Sequence, residues 1–145
     1  IEVTFDWHDA EEVGLQVLAS PGGEEETVVR FNTNPWHSYP KPNRRFPTWR
    51  QLTLDVTRSS VSQEVMNRES EWRRVEFPVG QSVTLRVFID RSVVEVFAGS
   101  RHYLAKRVYP ERTDSIGVWL YARGGTATVR RLDAWEMEPI WPISE

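Results

Sequence analysis

The sequence predicts an all-β protein built as a sandwich of two antiparallel sheets, on three observations. About ten short runs of alternating, β-branched or aromatic residues recur at spacings of about 8–12 residues. Gly, Pro, Asn or Asp stands at the breaks between them. No window of twelve residues keeps a clean 3.6-residue apolar period, which leaves no amphipathic helix to cover a parallel sheet.

In chain order, strands are expected over Val3–Trp7, Val13–Ala19, Thr27–Asn32 and Gln51–Val56, each an alternating or β-branched run ended by turn residues. The stretch 35–47 contains four prolines and cannot be a central strand, because proline has no N–H to give a ladder. It is expected to be a long surface loop. Strands resume over Trp72–Phe77, Ser82–Asp90 and Val93–Ala98, with Arg91-Ser92 as a tight reversal between the last two. The final strands are expected over Tyr103–Tyr109, Ser115–Ala122 and Thr126–Glu136, with Gly124-Gly125 as another hairpin turn.

All 145 residues fit one domain, 1–145, large enough to bury a two-layer core without staples. None are available, since there is no Cys; disulfides, thiolate-ligated metals and thiol nucleophiles are excluded. His8, His37 and His102 lie at no metal-ligand spacing, so neither metal nor other cofactor is expected. The formal net charge of −3 gives no basic field for nucleic acid, and no apolar run is long enough to span a membrane. The start at Ile1 carries neither an initiator Met nor a signal-peptide pattern, and the chain reads as a piece of a longer polypeptide whose compartment its own ends do not indicate. The aromatic content is high, with seven Trp, four Tyr and six Phe.

The hairpin at 83–98 carries the most informative pattern. Val83, Leu85, Val87 and Ile89 take one face, and Thr84, Arg86, Phe88 and Asp90 the other. Asp90 is placed to accept turn N–H groups. On the return strand Val93, Glu95 and Phe97 share a face. A carboxylate between such neighbours needs a donor, and Arg86 or Arg107 is the expected partner of Glu95. The acidic run Glu24-Glu25-Glu26 reads as a solvated turn.

The run from Leu85 to Ala98, followed by Arg107-Val108-Tyr109-Pro110, resembles the C-terminal β-sandwich module of glycoside hydrolase family 32, the β-fructofuranosidases, invertases, levanases and inulinases. Asp90, Ser92, Glu95, Phe97, Arg107, Tyr109, Pro110, Gly117, Gly124, Gly125 and Trp135 fall in step with its motifs. Leu54-Asp55-Val56-Thr57-Arg58-Ser59-Ser60 matches more loosely, and the loop 35–47 has no counterpart. The fold expected is thus a sandwich of concanavalin/lectin-like jelly-roll type. The resemblance implies a non-catalytic module packed on a catalytic β-propeller of the same polypeptide. In such enzymes that propeller holds a nucleophile Asp in an Asp-Pro-Asn-Gly motif, an Arg-Asp-Pro stabiliser and a Glu-Cys acid/base motif; none of these three motifs occurs in this sequence. The parent would hydrolyse fructosidic bonds by double displacement with two carboxylates about 5–5.5 Å apart.

No catalytic residue is assigned in this chain. Asp90 and Glu95 sit on two arms of one hairpin, where nothing implies a cleft or a raised carboxyl pKa. Trp36, Tyr39 and Trp49, with Arg44, Arg45 and Arg50 close by, have the composition of a loop that contacts sugar or a partner; the same residues would equally pack the loop against a sheet or a neighbouring domain. Oligosaccharide and a second copy meeting through the sandwich are further expected partners, and a free-standing fructan-binding module is the alternative function.

Overall fold

In the computed structural model, residues 1–34, 49–77 and 82–138 are described. They form ten strands and no helix: β1 (Glu2–Asp6), β2 (Glu12–Ala19), β3 (Thr27–Asn32), β4 (Trp49–Asp55), β5 (Glu71–Glu76), β6 (Val83–Asp90), β7 (Val93–Ala98), β8 (His102–Arg107), β9 (Gly117–Arg123) and β10 (Thr128–Asp133). One sheet has the order β10-β1-β6-β7-β8, the other β5-β4-β3-β2-β9, and every pairing is antiparallel. The all-β sandwich expected from the sequence is the architecture found, although the Pro-rich stretch 35–47 lies outside the described residues.

Strand alternation builds the core. Val3 and Phe5 of β1, Val83, Leu85 and Val87 of β6, and Val94, Val96 and Ala98 of β7 meet Val13, Leu15, Val29, Phe31, Leu52 and Leu54 of the facing sheet. Phe31 is the aromatic hub, with Trp7 at 5.5 Å and Phe77 edge-on at 5.1 Å between ring centroids. Trp7 is therefore a core residue.

Two expectations about turns come out differently. Gly124-Gly125 does not close a hairpin, since β9 and β10 belong to opposite sheets. It is a corner between layers. Gly124 and Gly125 have φ of 70° and 154°, and a Cβ on Gly125 would stand 2.5 Å from the Asp9 carbonyl oxygen, so both freedoms of glycine are used there. Asp9 Oδ1 then accepts from the N–H and the hydroxyl of Thr126 at 2.8 and 2.7 Å, locking the corner to the β1–β2 connection. The second difference concerns 24–26, where all three glutamates are engaged.

Among the described residues the same corner leaves one flank of the sandwich uncovered. Leu132 and Val129 of β10 pair with Val3 and Phe5, which places them on the inner face, yet they remain 52% and 42% exposed. Across the layer gap, Val118 of β9 alternates with outward-facing Trp119 and is also exposed.

Candidate functional site

Asp90, Ser92, Glu95, Phe97, Arg107, Tyr109 and Pro110 collect at one end and on the outer face of the β10-β1-β6-β7-β8 sheet, whereas Gly117 lies in β9 of the other sheet and Gly124-Gly125 at the corner between layers. Asp90 and Val93 pair across a two-residue reversal in which Arg91 takes a φ of 50°, and Asp90 stands exposed at the tip. Among the described residues its carboxylate has no hydrogen-bond partner, so the turn-capping role expected of it is not taken up. Ser92 contributes through its backbone: its carbonyl accepts from the Val108 N–H at 2.7 Å, fastening the chain just beyond β8. Pro110, which has no N–H to extend a ladder, follows two residues later.

On the outer face Phe88, Phe97 and Tyr103 form a row, Phe97 lying edge-on to Phe88 at 5.9 Å and tilted to Tyr103 at 4.9 Å. Glu95 accepts a hydrogen bond from the Tyr103 hydroxyl at 2.7 Å. The expected guanidinium partner is not there. Glu95 pairs with Phe88 and Ala105, so Tyr103, Arg86 and Arg107 are all its diagonal neighbours on one face, and the Tyr103 hydroxyl takes the carboxylate while Arg86 turns to Glu2 directly opposite it. Arg86 donates from Nε to Glu2 at 2.6 Å, and Arg107 lies opposite Val93. The bond to Glu95 holds the Tyr103 phenol above its ordinary value, with burial and the carboxylate's charge acting in the same direction.

Arg107, Tyr109 and Pro110 form one wall of an open groove of about 660 Å³, with Ser62, Glu64 and Met66 among the residues of the other wall. The residue that holds both walls is Glu25. Its carboxylate, fully buried, accepts from the Val61 N–H at 2.8 Å, the Glu111 N–H at 2.9 Å, the Arg112 N–H at 3.2 Å and the Ser115 hydroxyl at 2.5 Å. Burial pushes its pKa up, but these donors outweigh it and hold the carboxyl below its ordinary 4.5. Glu25 is the residue that a solvated-turn assignment misses. A signal for it exists in the parity of 25, 27, 29 and 31, which are all buried and continue the inner face of β3 backwards. Its neighbours are also bound: Glu24 accepts from Ser20 Oγ at 2.6 Å, and Glu26 from Gln16 at 2.7 Å while pairing with Arg58 at 2.9 Å.

A second, half-buried acid sits in the loosely matching stretch. Asp55 accepts from the N–H and hydroxyl of Thr57 at 3.0 and 2.7 Å and from Ser70 Oγ at 3.0 Å, and pairs with Arg30 at 2.5 Å. Burial opposes ionisation, but these partners bring its pKa below the ordinary range.

Of the residues proposed to contact sugar or a partner, Trp36, Tyr39, Arg44 and Arg45 lie outside the described residues. Trp49 and Arg50 are brought onto opposite faces of β4 by strand alternation. Trp49 is 41% exposed, while Arg50 is buried with its guanidinium 5.8 Å from the Trp7 ring centroid. Among the described residues no group of three or more His, Cys, Asp or Glu could hold a metal ion. The polar groups of this surface tie loops and strands to one another.

The sequence model described as "Glycosyl hydrolases family 32 C terminal" matches residues 1–136. The chain is 34% identical over 129 residues to the β-fructofuranosidase insoluble isoenzyme 5 of Oryza sativa subsp. japonica, covering 86% of this chain and 22% of that protein. It is 30% identical over 131 residues to the fructan 6-exohydrolase of Triticum aestivum, covering 86% and 20%. Among solved structures, fructan 1-exohydrolase IIa from Cichorium intybus superposes with a TM-score of 0.69 at 18% identity, over 88% of this chain and 29% of that one. The exo-inulinase of Aspergillus awamori gives 0.67 at 24%, over 88% and 22%. These likenesses show a shared fold, and the chain spans about a fifth of the length of the relatives it matches.

Proposed function

This chain belongs to the glycosyl hydrolase family 32 C-terminal domain family, and from that premise we propose that it is the accessory sandwich of a longer enzyme that cleaves fructosidic bonds in sucrose or fructans. The observation that carries this is the family match over residues 1–136 together with relatives several times longer, whose names are those of β-fructofuranosidases and fructan exohydrolases. The chain's own chemistry is consistent with a structural role. Its buried Glu25 and half-buried Asp55 are held ionised by donors, the reverse of the raised carboxyl that a general acid in this kind of hydrolysis requires.

In this role the domain packs on a catalytic β-propeller of the same polypeptide and stabilises it. The motif hairpin β6–β7 and the Arg107–Pro110 segment give that sandwich a rigid end, Glu25 fixes the two loops of the groove, and catalysis resides in the propeller. The test is fructose release: the 145-residue chain, supplied with sucrose, inulin or levan, is expected to release none, whereas the longer polypeptide containing it releases fructose from at least one. Release by the chain alone overturns the proposal.

A further inference from the structure

The uncovered flank between β9 and β10 has the form of an unfinished core. Among the described residues both strands are sheet edges, each hydrogen-bonded to a single neighbour, and they lie at the same side of the sandwich because the Arg123–Thr126 corner joins them directly. Sheets in a sandwich stand about 10 Å apart, so the inner faces of β9 and β10 are the two walls of a slot. Its lining is apolar. Leu132 and Val129 share the inner face with Val3 and Phe5, whose exposures are 0% and 2%, yet are themselves about half exposed; Val118 on the opposite wall is 44% exposed. Trp135, just beyond β10, and Ile116, just before β9, continue the apolar surface at 58% and 81% exposure. On the β5 and β8 side the same layers close, with Val75 and Leu104 at 0% and 1%. Single exposed apolar residues need no explanation, but inner-face residues of both sheets opening at one flank, beside two strand edges unpaired among the described residues, mark a surface that is covered in use.

We propose that this slot is where the remainder of the same polypeptide seats apolar side chains, so that the β9–β10 flank is the docking surface of the accessory sandwich. The proposal rests on the accessory role above and names the face that serves it. The choice of occupant follows from length: the chain spans 22% and 20% of two relatives, so several times more chain accompanies such a domain in each molecule at a fixed effective concentration. A segment entering the slot also finds the free N–H and C=O groups of two strand edges, which an apolar surface on a helix would not offer.

Because the chain contains no Cys, a single thiol reports on the slot. Leu132→Cys and Val129→Cys, with Ser100→Cys at the exposed β7–β8 turn as reference, are labelled with a maleimide in the isolated chain and in the longer polypeptide, and the modified peptides are quantified by mass spectrometry. In the chain alone the slot thiols are expected to label within a few-fold of Ser100→Cys; in the longer polypeptide they should slow by at least about tenfold while the reference is unchanged, since reaction then requires local opening. Equal rates in both contexts at both positions overturn the docking face and leave the accessory role standing on the fructose assay. Slow labelling in the chain alone also overturns it, because the slot is then filled by a second copy or by the chain itself. Two positions are used so that a misfolded variant at one leaves the other decisive.

Discussion

Replacing Glu25 by Gln isolates the contribution of the buried carboxylate at nearly constant volume. Gln retains the oxygen that accepts from Val61 and Glu111, but presents an amide N–H₂ where the second oxygen accepted from Arg112 and Ser115. The Ser115 hydroxyl can rotate to accept; the Arg112 N–H cannot, and is left facing a donor. One orphaned buried donor costs about 1–3 kcal/mol, and the remaining bonds lose their charge assistance, so a total of about 2–4 kcal/mol is expected at pH 7. For a domain of this size that corresponds to a fall in Tm of roughly 5–15 °C. Urea unfolding at a series of pH values checks the cause as well as the size. The folded pKa of Glu25 lies below its ordinary 4.5, so its stabilisation is complete above the unfolded value of about 4.3 and is lost as pH falls through the folded value. The gap between wild type and Glu25→Gln should therefore be constant from pH 7 to about 5 and close on further acidification. A variant within about 0.5 kcal/mol of wild type at pH 7, or a gap that persists unchanged at pH 3, refutes the reasoning.

Asp55→Asn is expected to cost about 1–3 kcal/mol in urea unfolding, because Thr57 and Ser70 lose an ionised acceptor and Arg30 its partner. Its stabilisation should likewise disappear on the acid side of the ordinary carboxylate range, the Asp55 pKa being depressed in the fold. Glu95→Gln should bring the alkaline titration of Tyr103 down towards the ordinary phenol value of 10.0, read by tyrosinate absorbance against Tyr103→Phe; an unchanged titration curve would dissociate the phenol from Glu95. Gly125→Ala should destabilise by about 1–3 kcal/mol in thermal unfolding, since its Cβ meets Asp9 backbone and a φ of 154° is strained for alanine, whereas Ser100→Ala in an exposed turn should be near neutral.

The strands were legible because period-2 alternation is a local property. Val83, Leu85 and Val87 read as one face and are all buried, and the Arg91-Ser92 reversal follows directly from where that alternation restarts. What could not be read is which strand lies beside which. Gly124-Gly125 has the chemistry of a hairpin turn, but whether its flanking strands pair is decided by β1 and β2, which capture β10 and β9 into different sheets. The partner of Glu95 was missed for another reason: Arg86, Arg107 and Tyr103 all stand diagonal to it, and Glu2, opposite Arg86, takes that guanidinium while the Tyr103 hydroxyl bonds Glu95. Glu25 was hidden by composition, since three consecutive glutamates look solvated until the middle one is seen to continue the buried parity of Thr27, Val29 and Phe31. Trp119 reads as a strand residue and is one, on the outer face and 56% exposed, because it pairs with Gln16, which alternates with the buried Leu15 and Val17, on an edge strand.

The most direct measurement is complementation of the longer enzyme from its two parts. The polypeptide lacking residues 1–145 and the 145-residue chain are assayed separately and mixed, following fructose release from sucrose and its loss during heating. Catalysis is expected to reside wholly in the part lacking this chain, with faster thermal inactivation that is slowed on adding the chain back, and slowed less by Leu132→Asp. Fructose release by the chain alone, or an inactivation rate indifferent to its presence, would contradict an accessory role.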